Sequence, residues 1–100
     1  MAQSPSPVPT YDVVHVPQAS RFEVVLDGHR AICDYRLSGA VLELPHTVVP
    51  PALEGRGIAA ALVAAALAWA RSQGWKVRPT CSYVAAYMRR RPETGDLLSP

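Results

Sequence analysis

The stretch from Val49 to Leu62, VPPALEGRGIAAAL, constrains this chain more than any other part of it. An extended apolar run ends at Pro50 and Pro51, glycines follow at 55 and 57, and good helix formers run from Ile58 to Arg71. Gly74 stands where such a helix should stop. A strand, a tight turn and a long helix must therefore follow one another directly. No Ser, Thr, Asn or Asp lies where it could cap that helix, so its first backbone N–H groups have no side-chain oxygen to bond. Bare amides, a favourable helix dipole and glycines that admit close approach suit an anion, phosphate above all. The other reading is a loop whose glycines only make the turn, with water on the amides.

Two phosphate motifs do not apply. The chain has no G-x-x-x-x-G-K-S/T loop, and Ala60 stands where a dinucleotide fingerprint needs its third glycine. No repeated strand–helix–strand pattern surrounds Gly55-x-Gly57 either, which argues against a Rossmann unit.

The flanking chain reads as α+β. One hundred residues allow one domain with a modest core. Residues 1–11 are expected to form a disordered tail, since the first ten carry three prolines and two serines but no secretory pattern. The domain proper is placed at 12–100. Asp12 to Val16 suits a short edge strand closed by Pro17. Arg21 to Leu26 alternates, with Phe22, Val24 and Leu26 on one face, and Asp27-Gly28 is a strong hairpin turn. His29 to Leu37 puts Ala31, Cys33, Tyr35 and Leu37 on one face, and a third run, Ala40 to Val49, ends at Pro50. An antiparallel meander of about three strands thus precedes the long helix. Trp75 to Thr80 forms a further strand, free to run parallel to the last one, and a short helix extends from Cys81 or Ser82 to about Arg91.

The central stretch resembles the acyl-CoA-binding loop of the GNAT acyltransferase superfamily. That loop reads Arg or Gln, any two residues, Gly, any residue, then Gly or Ala. Here it is Glu54-Gly55-Arg56-Gly57-Ile58-Ala59; Gly57 and Ala59 fit, while Glu54 departs from the pattern. A carboxylate cannot donate to phosphate, so the amides and Arg56 must do more. His46-Thr47-Val48-Val49-Pro50 before the loop and Cys81 to Pro92 after it resemble a small single-domain GNAT-like subfamily, over roughly residues 20 to 98. The resemblance implies a mixed GNAT-like sheet that splays where its two parallel strands part. It also implies acetyl-CoA as cosubstrate, held by Val48, Val49, Glu54, Gly55, Arg56, Gly57, Ile58, Ala59 and Ala60. Pro45, which lacks an N–H, is a candidate for a bulge that frees neighbouring amides for the pantetheine arm.

Candidate catalytic residues are Cys81, Tyr87 and His46. Cys81 sits at a strand–helix junction where the dipole can lower a thiol pKa; it reads as that or as a small core residue. Tyr87 is a candidate acid toward the leaving thiolate, and its phase with Val84 and Met88 equally suits the core. His46, in phase with Leu42 and Leu44, reads as a structural histidine or as a base near the reacting amine. Glu43 reads as a solvated charge, Cys33 as core. Arg89-Arg90-Arg91 reads as a solvated helix end or as a contact for the coenzyme's 3′-phosphate.

Acetyl transfer from acetyl-CoA to an unidentified amine is the expected function. An acyl-CoA-binding or sensing module without turnover is the alternative. A net charge of +2 is too small for bulk attraction to nucleic acid, and the aromatic residues are not interleaved with the basic ones. No apolar run reaches membrane-spanning length. Two cysteines make neither a metal spacing nor a disulfide framework, so no metal is expected and a reducing cytoplasm is the expected compartment.

Overall fold

The computed structural model describes residues 10–100. Most of the expected tail therefore lies outside the described residues. Tyr11, its last residue, packs against the core, and its hydroxyl donates to the Arg56 carbonyl.

The strands are β1 (Val14–Val16), β2 (Arg21–Leu26), β3 (His29–Ser38), β4 (Val41–Val48) and β5 (Lys76–Arg78), in one sheet of order β1-β2-β3-β4-β5. All neighbours are antiparallel except β4 and β5. The helices are α1 (Ile58–Gln73) and α2 (Ser82–Arg89), with short 3-10 turns at Pro17–Ala19, Pro51–Leu53 and Pro92–Leu97. This is the α+β order expected, with a shorter parallel strand. At Asp27-Gly28 both residues take left-handed φ, 52° and 75°, the conformation a two-residue hairpin turn requires.

α1 buries Ile58, Leu62, Val63, Ala66, Leu67 and Ala70, a stripe at helical spacing, against the sheet. Its alanines let the backbone lie close to β2 and β3. Burying a leucine such as Leu62 contributes about 1.5–3 kcal/mol. α1, α2 and the C-terminal turn lie together on this face, and the bidentate Arg71–Asp96 pair joins α1 to the turn. The opposite face is uncovered among the described residues: Val14, Val25 and Val48 stand exposed there. Glu23 is nonetheless sheltered on that face, between Arg21 at 3.3 Å and Arg30 at 3.0 Å. No helix of the described residues is long and apolar enough to cross a membrane.

One expectation about strand phase fails. Asp34 pairs with His46 but Arg36 pairs with Glu43, so Tyr35 alone stands opposite both Leu44 and Pro45. The extra residue is a bulge in β4, at the proline that cannot donate to the ladder. Before it Leu42 and Leu44 face the core; after it Thr47 does, beside Cys33, and His46 and Val48 face solvent. His46 is thus out of phase with Leu42 and Leu44, and it is no structural histidine. Its side chain is 64% exposed. Leu37, expected in the core, keeps its phase and pairs with buried Leu42, but it lies near the end of the β3–β4 hairpin and is exposed.

His15 closes the core at the sheet edge. It stacks on Phe22 at 4.5 Å between ring centroids, meets Trp69, and its Nε2 shares a 2.7 Å hydrogen bond with the Tyr35 hydroxyl. Burial lowers its pKa, so the folded state holds a neutral ring. As pH falls through about 6.5 the unfolded chain takes up a proton that the folded chain resists. The stabilisation is therefore present above that pH and is lost below it. Thermal melts from neutral to acid pH should show a steeper loss for the parent than for His15→Phe. Equal slopes would mean that His15 titrates freely in the fold.

Candidate functional site

Two features flank the free part of β4. The first is the start of α1. Gly57, at the N-cap, adopts φ 78°, a left-handed conformation that side chains resist, and no side chain caps the helix. Ala61 is the first helical residue whose N–H finds a backbone carbonyl, that of Gly57 at 3.1 Å. The amides of Ile58, Ala59 and Ala60 meet no acceptor among the described residues. Together with the dipole of α1 they make a positive cradle that fits an anionic group. A cleft of about 230 Å³ opens beside it, lined by Val49, Leu53, Glu54, Gly57, Ala59 and Tyr83. Gly55 lines it too, at φ 76°. Arg56 is drawn aside: its Nη1 lies 3.2 Å from the Asp27 carboxylate on the β2–β3 turn. In this arrangement the amides, not a cation, supply the positive potential.

The second feature is Cys81, the N-cap of α2. Its N–H donates to the Leu44 carbonyl at 3.0 Å, the last backbone link of the β5 side to β4. Among the described residues nothing pairs with that edge of β4 beyond Leu44, so the parallel strands part there. The Cys81 thiol donates to Thr47 Oγ1 at 3.7 Å. Burial raises its pKa, but the Val84 and Tyr83 amides, the Thr47 hydroxyl and the Thr47 backbone outweigh burial, and the net shift is downward. A sulfur of lowered pKa carries more of the thiolate, the form in which a thiol is nucleophilic.

The other candidates are distributed unevenly. Val48 and Val49 lie on the free edge and its continuation toward the loop. Tyr87 is buried against the second half of α1, with the Arg91 guanidinium 3.7 Å over its ring. It is not brought to the cleft. Tyr83, one turn earlier, is, and burial raises its pKa so that it stays a phenol. His46 is on the uncovered face, 3.9 Å from Asp34 and across the sheet from Cys81. Glu43 is a surface charge bonded to Thr80 Oγ1 at 2.8 Å. Among the described residues no three His, Cys, Asp or Glu side chains converge to hold a metal ion. Thr47, beside two thiols, was visible in sequence only as the neighbour of His46. The signal that could have found it was Pro45, because a bulge there exchanges the faces of positions 46 and 47.

Comparison with known proteins gives one family. A family model described as GCN5-related N-acetyl-transferase matches residues 21–97. Protein NATD1 of Mus musculus is 39% identical over 83 residues, covering 80% of this chain and 76% of the relative. Protein NATD1 of Homo sapiens is 37% identical over 83 residues, covering 80% and 74%. The solution structure of a GCN5-like protein from Staphylococcus aureus superposes with a TM-score of 0.71 over 90% of this chain and 89% of that one. At 20% identity that likeness concerns the fold.

Proposed function

The chain belongs to the GCN5-related N-acetyltransferase family, and on that premise we propose that it binds acetyl-CoA along the free edge of β4 and passes the acetyl group to an amine through Cys81. The observation that carries this reading is the unpaired β4 edge beyond Leu44, flanked by a bare helix N-terminus and a thiol of lowered pKa. The amides of Ile58, Ala59 and Ala60 hold the pyrophosphate, with Gly55 and Gly57 allowing its approach. The pantetheine arm follows β4, and an amide near Val48 or Val49 polarises the thioester carbonyl.

In the reaction the Cys81 thiolate attacks the acetyl carbonyl carbon. The bond from that carbon to the coenzyme sulfur breaks, and the coenzyme leaves as a thiolate that Tyr83, a phenol lining the cleft, can protonate. The acceptor nitrogen then attacks the same carbon, Cys81 leaves as thiolate, and the nitrogen gives up its proton. That proton passes to the Cys81 thiolate or to water, since His46 and Asp34 lie across the sheet from Cys81. Cys33 and Cys81 are free thiols, which fits action in a reducing compartment such as the cytoplasm.

A binding or sensing role without turnover is the second reading. Glu54, a carboxylate in the cleft where the family loop carries a donor, and the uncovered sheet face favour it. The two are separated by following release of free coenzyme thiol from acetyl-CoA with lysine-containing peptides or polyamines present. Amine-dependent release supports transfer, whereas tight binding without release supports the module. Glu54→Gln should tighten acetyl-CoA binding by about 1 kcal/mol, because it removes a like charge and adds a donor near the pyrophosphate. Calorimetry checks this, and unchanged or weaker affinity would mean that Glu54 points away from the phosphates.

A further inference from the structure

The Thr47 hydroxyl stands between the only two thiols of the chain. Its Oγ1 is 3.7 Å from the Cys81 sulfur and 4.0 Å from the Cys33 sulfur, and Cys33 Sγ lies 3.9 Å from the Asp34 carbonyl. The three side chains come from three neighbouring segments: Cys33 from β3, Thr47 from β4 directly opposite it, and Cys81 from the start of α2. Thr47 faces this way only because the bulge at Leu44–Pro45 exchanged the faces of β4.

We propose that Thr47 and Cys33 are positioning residues for Cys81, forming a three-membered hydrogen-bond relay whose direction reverses when Cys81 loses its proton. The proposal rests on the reading of Cys81 as the nucleophile and deepens it. A hydroxyl has one proton to give and two lone pairs to offer, so Thr47 serves one sulfur as donor while accepting from the other. With both cysteines protonated, Cys81 donates to Thr47, Thr47 donates to Cys33, and Cys33 donates to the Asp34 carbonyl. A Cys81 thiolate has no proton to give. The hydroxyl then turns to donate to it, and the Cys33 thiol donates to the oxygen from behind. Only S–H and O–H torsions change; no heavy atom moves.

The asymmetry that selects Cys81 as the charged partner comes from burial. Cys33 has no solvent exposure, and burial pushes its thiol up to about 11, so it remains a donor wherever Cys81 titrates. Cys81 is only partly buried and has the amides of Val84 and Tyr83 beside it. Among the described residues the ionisable groups whose charge acts with that of Cys81 are Cys33 from β3 and Tyr83 from α2, both neutral at physiological pH. The main causes of the Cys81 shift are burial, which raises it, and hydrogen-bond donors, which outweigh burial.

The test is the pH profile of iodoacetamide alkylation at Cys81 in the full chain, with sites read by peptide mass spectrometry and folding checked by melting. Thr47→Val keeps the shape and removes the hydroxyl; its midpoint should rise by about one pH unit, with labelling below the midpoint about tenfold slower. Thr47→Ser should restore the parent profile. Cys33→Ala, which leaves Thr47 without its rear donor, should slow labelling by a smaller factor, about threefold. A parent midpoint retained in both Thr47→Val and Cys33→Ala would overturn the relay while leaving Cys81 as nucleophile. Failure of the parent itself to label faster at Cys81 than at Cys33 would instead remove the nucleophile, and the relay with it.

Discussion

A Gly57→Val protein is expected to stay folded and to bind acetyl-CoA at least about 100-fold more weakly than the parent. The position has no crowding to offend: a Cβ added there meets nothing within 4 Å. The penalty comes instead from φ 78°, where a β-branched residue is strained by about 1–3 kcal/mol. The strain is relieved by turning the peptide that presents the first amides of α1. Each charge-assisted bond from an amide to a phosphate oxygen contributes about 1.5–3 kcal/mol, so misdirecting two of them accounts for the loss. The folded state should survive, because domains of this kind carry about 5–15 kcal/mol and the core residues Leu53, Ile58 and Leu62 are untouched. Calorimetry beside a thermal melt reads both quantities. Parent-like affinity in a folded Gly57→Val protein would remove the phosphate from this loop.

Cys81→Ala carries the second large effect. It should reduce amine-dependent acetyl transfer by at least about 100-fold while changing acetyl-CoA affinity by less than about threefold, since the thiol meets the acetyl group and not the phosphates. The parent, mixed with acetyl-CoA and no amine, should gain the mass of one acetyl group on Cys81 and none on Cys33. Retained transfer in Cys81→Ala would leave direct attack by the amine, with Tyr83 as the acid at the cleft. Lost binding together with lost transfer would make Cys81 part of the coenzyme site instead.

Elements marked by local chemistry were legible in the sequence. Asp27-Gly28 permits a two-residue hairpin turn, Gly74 stops α1 at φ 74°, and the alternation of Arg21 to Leu26 gives β2 its bounds. The uncapped helix start was equally plain, since a missing Ser, Thr, Asn or Asp is visible without coordinates. What sequence could not settle was phase beyond Pro45. A two-residue period carries forward only while the ladder is regular, and one extra residue in β4 moved His46 to solvent and Thr47 to the thiols. The choice between the tyrosines failed differently. Tyr83 and Tyr87 share one helix face by spacing, and only the packing of α2 along α1 puts the first at the cleft and the second in the core. Arg56 looked like a phosphate ligand from its place in the loop, whereas its partner Asp27 comes from a distant turn.

Acetyl-CoA is expected to lie with its phosphates on the start of α1 and its thioester at the strand gap by Cys81. A titration of the isotopically labelled protein with acetyl-CoA, followed by amide resonances in NMR, tests it most directly. The expected result is saturable one-to-one binding whose largest shifts fall on Gly55, Gly57, Ile58, Ala59 and Ala60, with a second group at Thr47, Val48 and Cys81. Absence of saturable binding, or shifts that leave the Gly55 to Ala60 amides unmoved, would contradict it.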